Sequence, residues 1–402
     1  MSKNVTSLRK SKPTARELLA GIKIIDVDTH ISEWPELWTE RAPPSMKNRM
    51  PRIIGTGKDK RWVIDEDIFL YNTGAASAVM KDGTKTRGFE YVTTEFPGIS
   101  AAAYDVTARV KMMDEQGIYA QIAYPNILGF SGQNAMKSDP TLRLMAMQIF
   151  NDAMGEMQAS SGNRIFPMAM LPWWDLGETL KEAERCVKMG MRGINWNPDT
   201  HAHGLPSIAD PHWTPLWELC VANQLPINFH IGASDESVSW YFQGSLPGFT
   251  PNQQMAMGSV MLFIGNLRVM GTIIASRFLE KFPDLKIVSV ESGVGWIPYL
   301  LEALDYMSVE AGLDYQTPPR EVFRRQIYAC SFFEKQNFVA TVRQLGADNI
   351  MFETDFPHPA CLFPDGLEYL ADVLTSAAIP AEPPPTITTR FGAPFMAAYY
   401  AD

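Results

Sequence analysis

From residue 22 onward, short β-branched apolar runs alternate with stretches whose apolar residues recur at helical spacing, the order that builds a parallel sheet covered by helices. The runs are IKIIDVDTHI (22–31), YAQIAYPN (119–126), IFPMAML (165–171), RGINWN (192–197), PINFHIG (226–232), LKIVSVES (285–292), QIYACSFF (326–333) and IMFETD (350–355). Several are continuously apolar, which suits strands buried on both faces. After the third run, Asp175 and Glu178 form a capping pattern, Leu176, Leu180, Ala183 and Val187 share one face, and Gly190 follows the last turn. Further helices are expected over 105–116, 139–161, 212–223, 258–282, 296–311, 337–345 and 367–377, several opening at Asp, Ser or Pro.

Eight β-runs each followed by a helix predict an α/β fold, a (β/α)8 TIM barrel. Such a barrel takes roughly 250 residues, so a chain of 402 residues must carry insertions. Long ones follow strands one and five. The first, about 32–104, holds WVIDEDIFLYN (62–72), which is expected to form a small hairpin. The second, 233–257, contains Trp240, Tyr241, Phe242 and Phe249. Both leave the C-terminal ends of strands, where barrel enzymes assemble their active sites. The expected organisation is a mobile N-terminal arm over 1–21 and a single barrel domain over 22–402.

Composition narrows the function classes. With 46% hydrophobic and 20% charged residues the chain has material for a large core, and 35 Lys plus Arg against 45 Asp plus Glu leaves a net charge of −10, which argues against a nucleic-acid partner. Cys186, Cys220, Cys330 and Cys361 form no C-x-x-C pair, so neither a disulfide framework nor a thiolate zinc site is indicated, and a reducing, cytoplasmic setting fits. The first twenty residues lack the apolar core of a secretory signal, and no later run approaches the roughly 18 apolar residues of a membrane span.

The chemistry-bearing residues end the strands. Asp28 and His30 lie two apart on strand one, so both side chains share a face; His230 ends strand five, Glu291 strand six and Asp355 strand eight. Each alone would read as a hydrogen-bonded loop residue. Together at one mouth they could hold a divalent cation. His358, just beyond Asp355, either faces the pocket or caps its loop, and Trp196 and Asn197, which end strand four, are either substrate contacts or, for the indole, core. The glycines of SGVG (292–295) suit a tight strand-to-helix turn better than a phosphate loop, since no Walker or dinucleotide pattern accompanies them.

The D-T-H end of strand one, the lone His of INFHIG, SGVGWIPYLLEALD after strand six and ETDFPHP on strand eight resemble the metal-dependent amidohydrolase superfamily. The likeness is to its amidohydrolase-related branch, which includes γ-resorcylate and aminocarboxymuconate-semialdehyde decarboxylases, and it covers roughly residues 22–378. The resemblance implies one catalytic metal on Asp28, His30, His230 and Asp355, with Asp355 also shuttling a proton. The chain departs from those decarboxylases at strand six, where Glu291 replaces their His, and RGINWN lacks the bridging Lys of two-metal members, which points to a mononuclear site. An oxygen-rich ligand set leans from zinc towards manganese.

These residues lead to an enzyme expected to hydrolyse a small aromatic or cyclic compound through metal-activated water, with Asp355, Glu291 and His358 as catalytic groups and Glu291 at or near the metal. Non-oxidative decarboxylation is the alternative, and a metal-free binding or scaffold protein is the reading outside enzymes. The Met-rich apolar stretch 254–279 suggests a buried or subunit-facing helix and hence a homodimer or higher homo-oligomer.

Overall fold

The computed structural model describes residues 14–129, 132–242 and 247–376. Strand β1 (Ile25–His30) leads into the first insertion, which carries β2 (Arg52–Ile54), β3 (Arg61–Ile64) and β4 (Ile68–Tyr71) as an antiparallel sheet. The expected hairpin is therefore present and gains a third strand. The barrel resumes with β5 (Ala120–Tyr124), β6 (Ile165–Pro167), β7 (Ala169–Met170), β8 (Ile194–Asn195), β9 (Ile227–His230), β10 (Ile287–Val290), β11 (Ile327–Ser331) and β12 (Ile350–Phe352).

These strands pair in parallel in the orders β1-β5-β6 and β7-β8-β9-β10-β11-β12. Two seams join the sets into a (β/α)8 barrel. Strands β6 and β7 are one strand position interrupted at Met168, whose N–H donates to Ala123 at 2.8 Å while the Ala169 N–H donates to Gly193 at 3.0 Å. On the other side the Asp355 N–H donates to the Asp28 carbonyl at 2.9 Å and the His30 N–H to the Phe356 carbonyl at 2.7 Å. That second seam brings the first and last sequence motifs together. A register shift between Asp26 and Thr29 breaks simple alternation in β1. Asp26 consequently bonds Gln121 and Thr354, and Gln121 in turn accepts from the buried Arg109.

The helices begin where local chemistry caps them. Asp105, Asp139 and Asp175 each accept a backbone N–H at a helix start, satisfying donors that would otherwise be orphaned. The long helix after β9 covers Pro251–Ala275, earlier than the expected 258–282, because Thr250 and Gln253 make a reciprocal capping box and the helix stops before Arg277, at φ 62°. By length and composition this helix is apolar enough to cross a membrane, which corrects the expectation that no segment is. Asn266 nevertheless donates to Phe229 and Ser289 inside the barrel wall, and Arg268 grips Asp199 through two bonds of 2.7 Å. Met257, Val260 and Ile264 remain exposed on its outer side.

Part of the expected arm is structured. Ala15–Leu18 forms a capped helical turn, and Leu19 is buried with Ile24, Leu367 and Leu370 against the last helix; residues 1–13 lie outside the described part. Trp196 packs in the core: its indole meets Trp213 and Trp217 edge-on at 5.2 and 5.8 Å, leaving it 1% exposed. Asn197 is buried as well, its amide oxygen accepting the Asp199 N–H at 2.9 Å.

Candidate metal centre and active-site cavity

Four strand ends, those of β1, β9, β10 and β12, deliver five polar side chains to one point. His230 Nε2 lies 3.3 Å from Asp28 Oδ1, 3.5 Å from Glu291 Oε2 and 3.2 Å from His30 Nε2. His30 Nε2 is 3.5 Å from Asp28 and 3.6 Å from Asp355. Donor atoms of Asp28, His30, His230 and Glu291 all fall within 4.8 Å of one another, and those of His30, Glu291, Asp355 and His358 form an overlapping group of the same size. The His230 ring is oriented by its Nδ1–H, which donates to the Ile231 carbonyl at 2.7 Å and leaves the Nε2 lone pair facing the cluster.

The electrostatics of this cluster favour a cation. Both oxygens of Asp28 are buried and accept no hydrogen bond, a costly arrangement for a carboxylate unless a positive charge sits against it. Burial, then the neighbouring acids, push Asp28 and Glu291 well above the usual carboxylate range. Burial also lowers His230 to about 4, so its ring is neutral and able to act as a ligand. Desolvated acids that repel one another and neutral imidazoles are the donor set that a divalent ion would complete.

Backbone geometry at two of these positions is unusual. Glu291 and Asp355 adopt left-handed φ values of 57° and 59°, although neither is glycine. Residues held there cost energy and persist where surrounding structure enforces them. The Glu291 N–H donates to the buried Glu353 carboxyl at 3.2 Å. Beyond it Gly293, at φ 67°, starts a turn whose Val294 and Gly295 N–H groups both point to Glu334 Oε1, the latter at 3.1 Å. The glycine turn is thus filled by a side chain of the protein itself, which is why it does not serve as a phosphate cradle.

A cavity of about 120 Å³ opens directly above Glu291, Asp355 and His358. The insertion contributes Tyr71 and Tyr91 to its wall, and the long helix contributes Met255, Ser259, Leu262 and Phe263. No Lys or Arg is among the described residues lining it. His358 stacks on His30 with ring centroids 3.6 Å apart, and its Nδ1 sits 3.0 Å from Asp355 Oδ1.

The sequence model of the amidohydrolase family matches residues 25–384. The chain belongs to this family. This amidohydrolase is 25% identical over 302 residues to a γ-resorcylate decarboxylase of Polaromonas sp. (strain JS666 / ATCC BAA-500), a match covering 71% of the chain and 85% of the relative. Its fold superposes on an amidohydrolase from Mycobacterium avium subsp. paratuberculosis K-10 with a TM-score of 0.68 at 19% identity, over 88% and 94% of the two chains. A dihydroxybenzoic acid decarboxylase from Polaromonas sp. JS666, solved with bound manganese and 2-nitroresorcinol, aligns with a TM-score of 0.53 at 19% identity over 93% and 96%.

Three site neighbours escape sequence reasoning. Glu33 and Asn126 form a buried pair behind His358, and Glu353 lies behind Glu291. A weak signal existed for each: a polar residue that closes or interrupts an otherwise apolar strand end.

Proposed function

We propose that this amidohydrolase is a metal-dependent, non-oxidative decarboxylase of an aromatic acid carrying a hydroxyl group beside its carboxylate. The relatives whose names describe γ-resorcylate and dihydroxybenzoate decarboxylation support this over the hydrolysis expected from Glu291. The observation that carries it is the position of Asp355, which stands between the buried acid and imidazole cluster and a cavity with apolar walls. Asp28, His30, His230 and Asp355 would hold the ion, with Glu291 at its edge. When bound, a divalent cation there polarises a substrate oxygen and anchors the negative charge of the substrate; manganese fits the oxygen-rich set and is the ion in the decarboxylase relative.

The chain's own groups then manage the proton. Asp355 delivers it to the ring carbon that bears the carboxylate, the bond from that carbon to the carboxylate breaks, its electron pair restores the aromatic ring, and carbon dioxide leaves. His358, 3.0 Å from Asp355, is the nearest group to replenish the proton. Tyr71, Tyr91, Leu262 and Phe263 give the ring an apolar berth and keep water out. The described lining holds no Lys or Arg, which favours a substrate whose single carboxylate is the one placed at the cation. The substrate class is therefore a hydroxylated aromatic monocarboxylate. The exposed Met257, Val260 and Ile264 support the homo-oligomer expected from the sequence.

A second reading, hydrolysis, draws on Glu291, a carboxylate beside Asp355 on the cavity floor that could activate water. The deciding experiment incubates manganese-loaded protein with γ-resorcylate and related ortho-hydroxybenzoates while carbon dioxide is measured, and in parallel with aryl esters and lactones while acid release is measured. Carbon dioxide release supports decarboxylation. Acid release from the esters or lactones without it transfers the assignment to hydrolysis.

A further inference from the structure

We propose that Glu33 and Asn126 are positioning residues that fix the His358 ring with its Nε2–H towards Asn126 and its Nδ1 towards Asp355. This rests on the reading in which Asp355 moves the proton, and it adds two residues that touch neither the cavity nor the candidate ion.

The argument is one of donors and acceptors. Glu33 is 2% exposed and Asn126 fully buried. Glu33 Oε1 accepts the backbone N–H groups of Asn126 at 2.7 Å and Ile127 at 3.1 Å, and its Oε2 accepts the Asn126 Nδ2 at 3.1 Å. The same Nδ2 donates to the Ile31 carbonyl at 2.8 Å. Those two acceptors decide which way the amide faces, because the reversed amide would set its oxygen against a carboxylate and a carbonyl. Asn126 Oδ1 is left pointing at His358 Nε2, 2.8 Å away. An amide oxygen only accepts, so Nε2 must carry hydrogen. The other ring nitrogen, Nδ1, is then set 3.0 Å from Asp355 Oδ1. Glu33 lies three residues past His30 and Asn126 two past Tyr124, so both ride on adjacent barrel strands β1 and β5 and inherit their rigidity. The stack of His358 on His30 at 18° completes the fixing of the ring plane.

Glu33→Gln tests the chain of bonds because its effect propagates. The glutamine oxygen is retained by the two backbone N–H groups, so its new amide nitrogen faces Asn126 Nδ2, and the Asn126 amide must turn over. His358 Nε2 then meets a donor and the ring switches to the Nδ1–H form. Adding Asn126→Asp restores an acceptor on both sides without changing the net charge of the pair. Nitrogen NMR of histidine-labelled, zinc-loaded protein reads the form directly, with His358→Gln assigning the signal. The expected result is Nε2–H in the wild type, Nδ1–H in Glu33→Gln with kcat lower by about 10- to 100-fold and KM and metal content unchanged, and recovery of both signal and kcat in the double variant. An Nδ1–H signal in the wild type, an unaltered signal in Glu33→Gln, or a folded and metal-loaded double variant that recovers neither property overturns the proposal. The wild-type spectrum decides even if Glu33→Gln does not fold, and it needs no substrate, so it is independent of which reaction the enzyme performs.

Discussion

Gly293→Ala probes the turn that aims Glu291 at the cluster. A Cβ built on Gly293 would lie 2.4 Å from Glu334 Oε1, 3.0 Å from its carboxyl carbon and 3.2 Å from Phe333, and the residue sits at φ 67°. The left-handed conformation costs an alanine about 1–2 kcal/mol relative to glycine. Glu334 must also withdraw, abandoning the Val294 and Gly295 N–H groups, and losing hydrogen bonds to a charged acceptor adds about 2–3 kcal/mol. The total is about 3–5 kcal/mol, which at an unfolding entropy of roughly 0.8 kcal/mol/K for a chain of this length corresponds to a fall in Tm of about 4–6 °C. Gly295→Ala is the control: its Cβ would lie 3.9 Å from the same oxygen, in ordinary contact, so a change under about 1 kcal/mol is expected. Thermal and urea unfolding of both variants, of Glu334→Ala and of the Gly293→Ala/Glu334→Ala pair would be compared. Once Glu334 is gone, the second substitution should cost only its backbone share, giving a coupling of about 2 kcal/mol. Equal stability of Gly293→Ala and Gly295→Ala, or strict additivity in the pair, would refute the clamp.

Asp355→Asn should keep the fold and lose about 10²-fold or more in turnover; metal content measured in the same sample separates loss of the proton carrier from loss of the ion, and a metal-replete variant with near wild-type turnover moves the proton role to His358. Trp196→Ala should cost about 3–5 kcal/mol of stability by opening a cavity among Trp213 and Trp217, while KM of the surviving folded protein stays at the wild-type value; a large KM change with little loss of stability would return Trp196 to the substrate.

The barrel was legible because strands covered on both faces leave continuous apolar runs, and because helix starts carry their caps in the sequence. Polar residues that interrupt those runs at their C-terminal ends stood out for the same reason, which is how Asp28, His30, His230, Glu291 and Asp355 were found. Sequence leaves Trp196 open between substrate contact and core because β8 spans only Ile194–Asn195, too short for alternation to tell barrel mouth from barrel wall. Apolar periodicity starts the long helix too late because its first turn, Pro251–Gln253, is polar and is specified by a capping box ahead of the apolar stretch. Glu33 and Asn126 are 93 residues apart, and their bond exists only through the pairing of β1 with β5, which no local pattern encodes. Glu353 was hidden by its neighbour: in Glu353-Thr354-Asp355 the functional reading went to the second acid, while the left-handed turn at Asp355 leaves Glu353 buried beneath Glu291.

The central claim, that Asp28, His30, His230 and Asp355 form one cation site, is tested most directly by elemental analysis of manganese-loaded protein beside its Asp28→Ala and His230→Ala variants, each checked for folding. The account predicts one ion per wild-type chain and its loss from both variants, since each removes a donor from a buried group spanning less than 4.8 Å. Wild-type occupancy retained in either folded variant, or a folded wild type that takes up no ion, would contradict it.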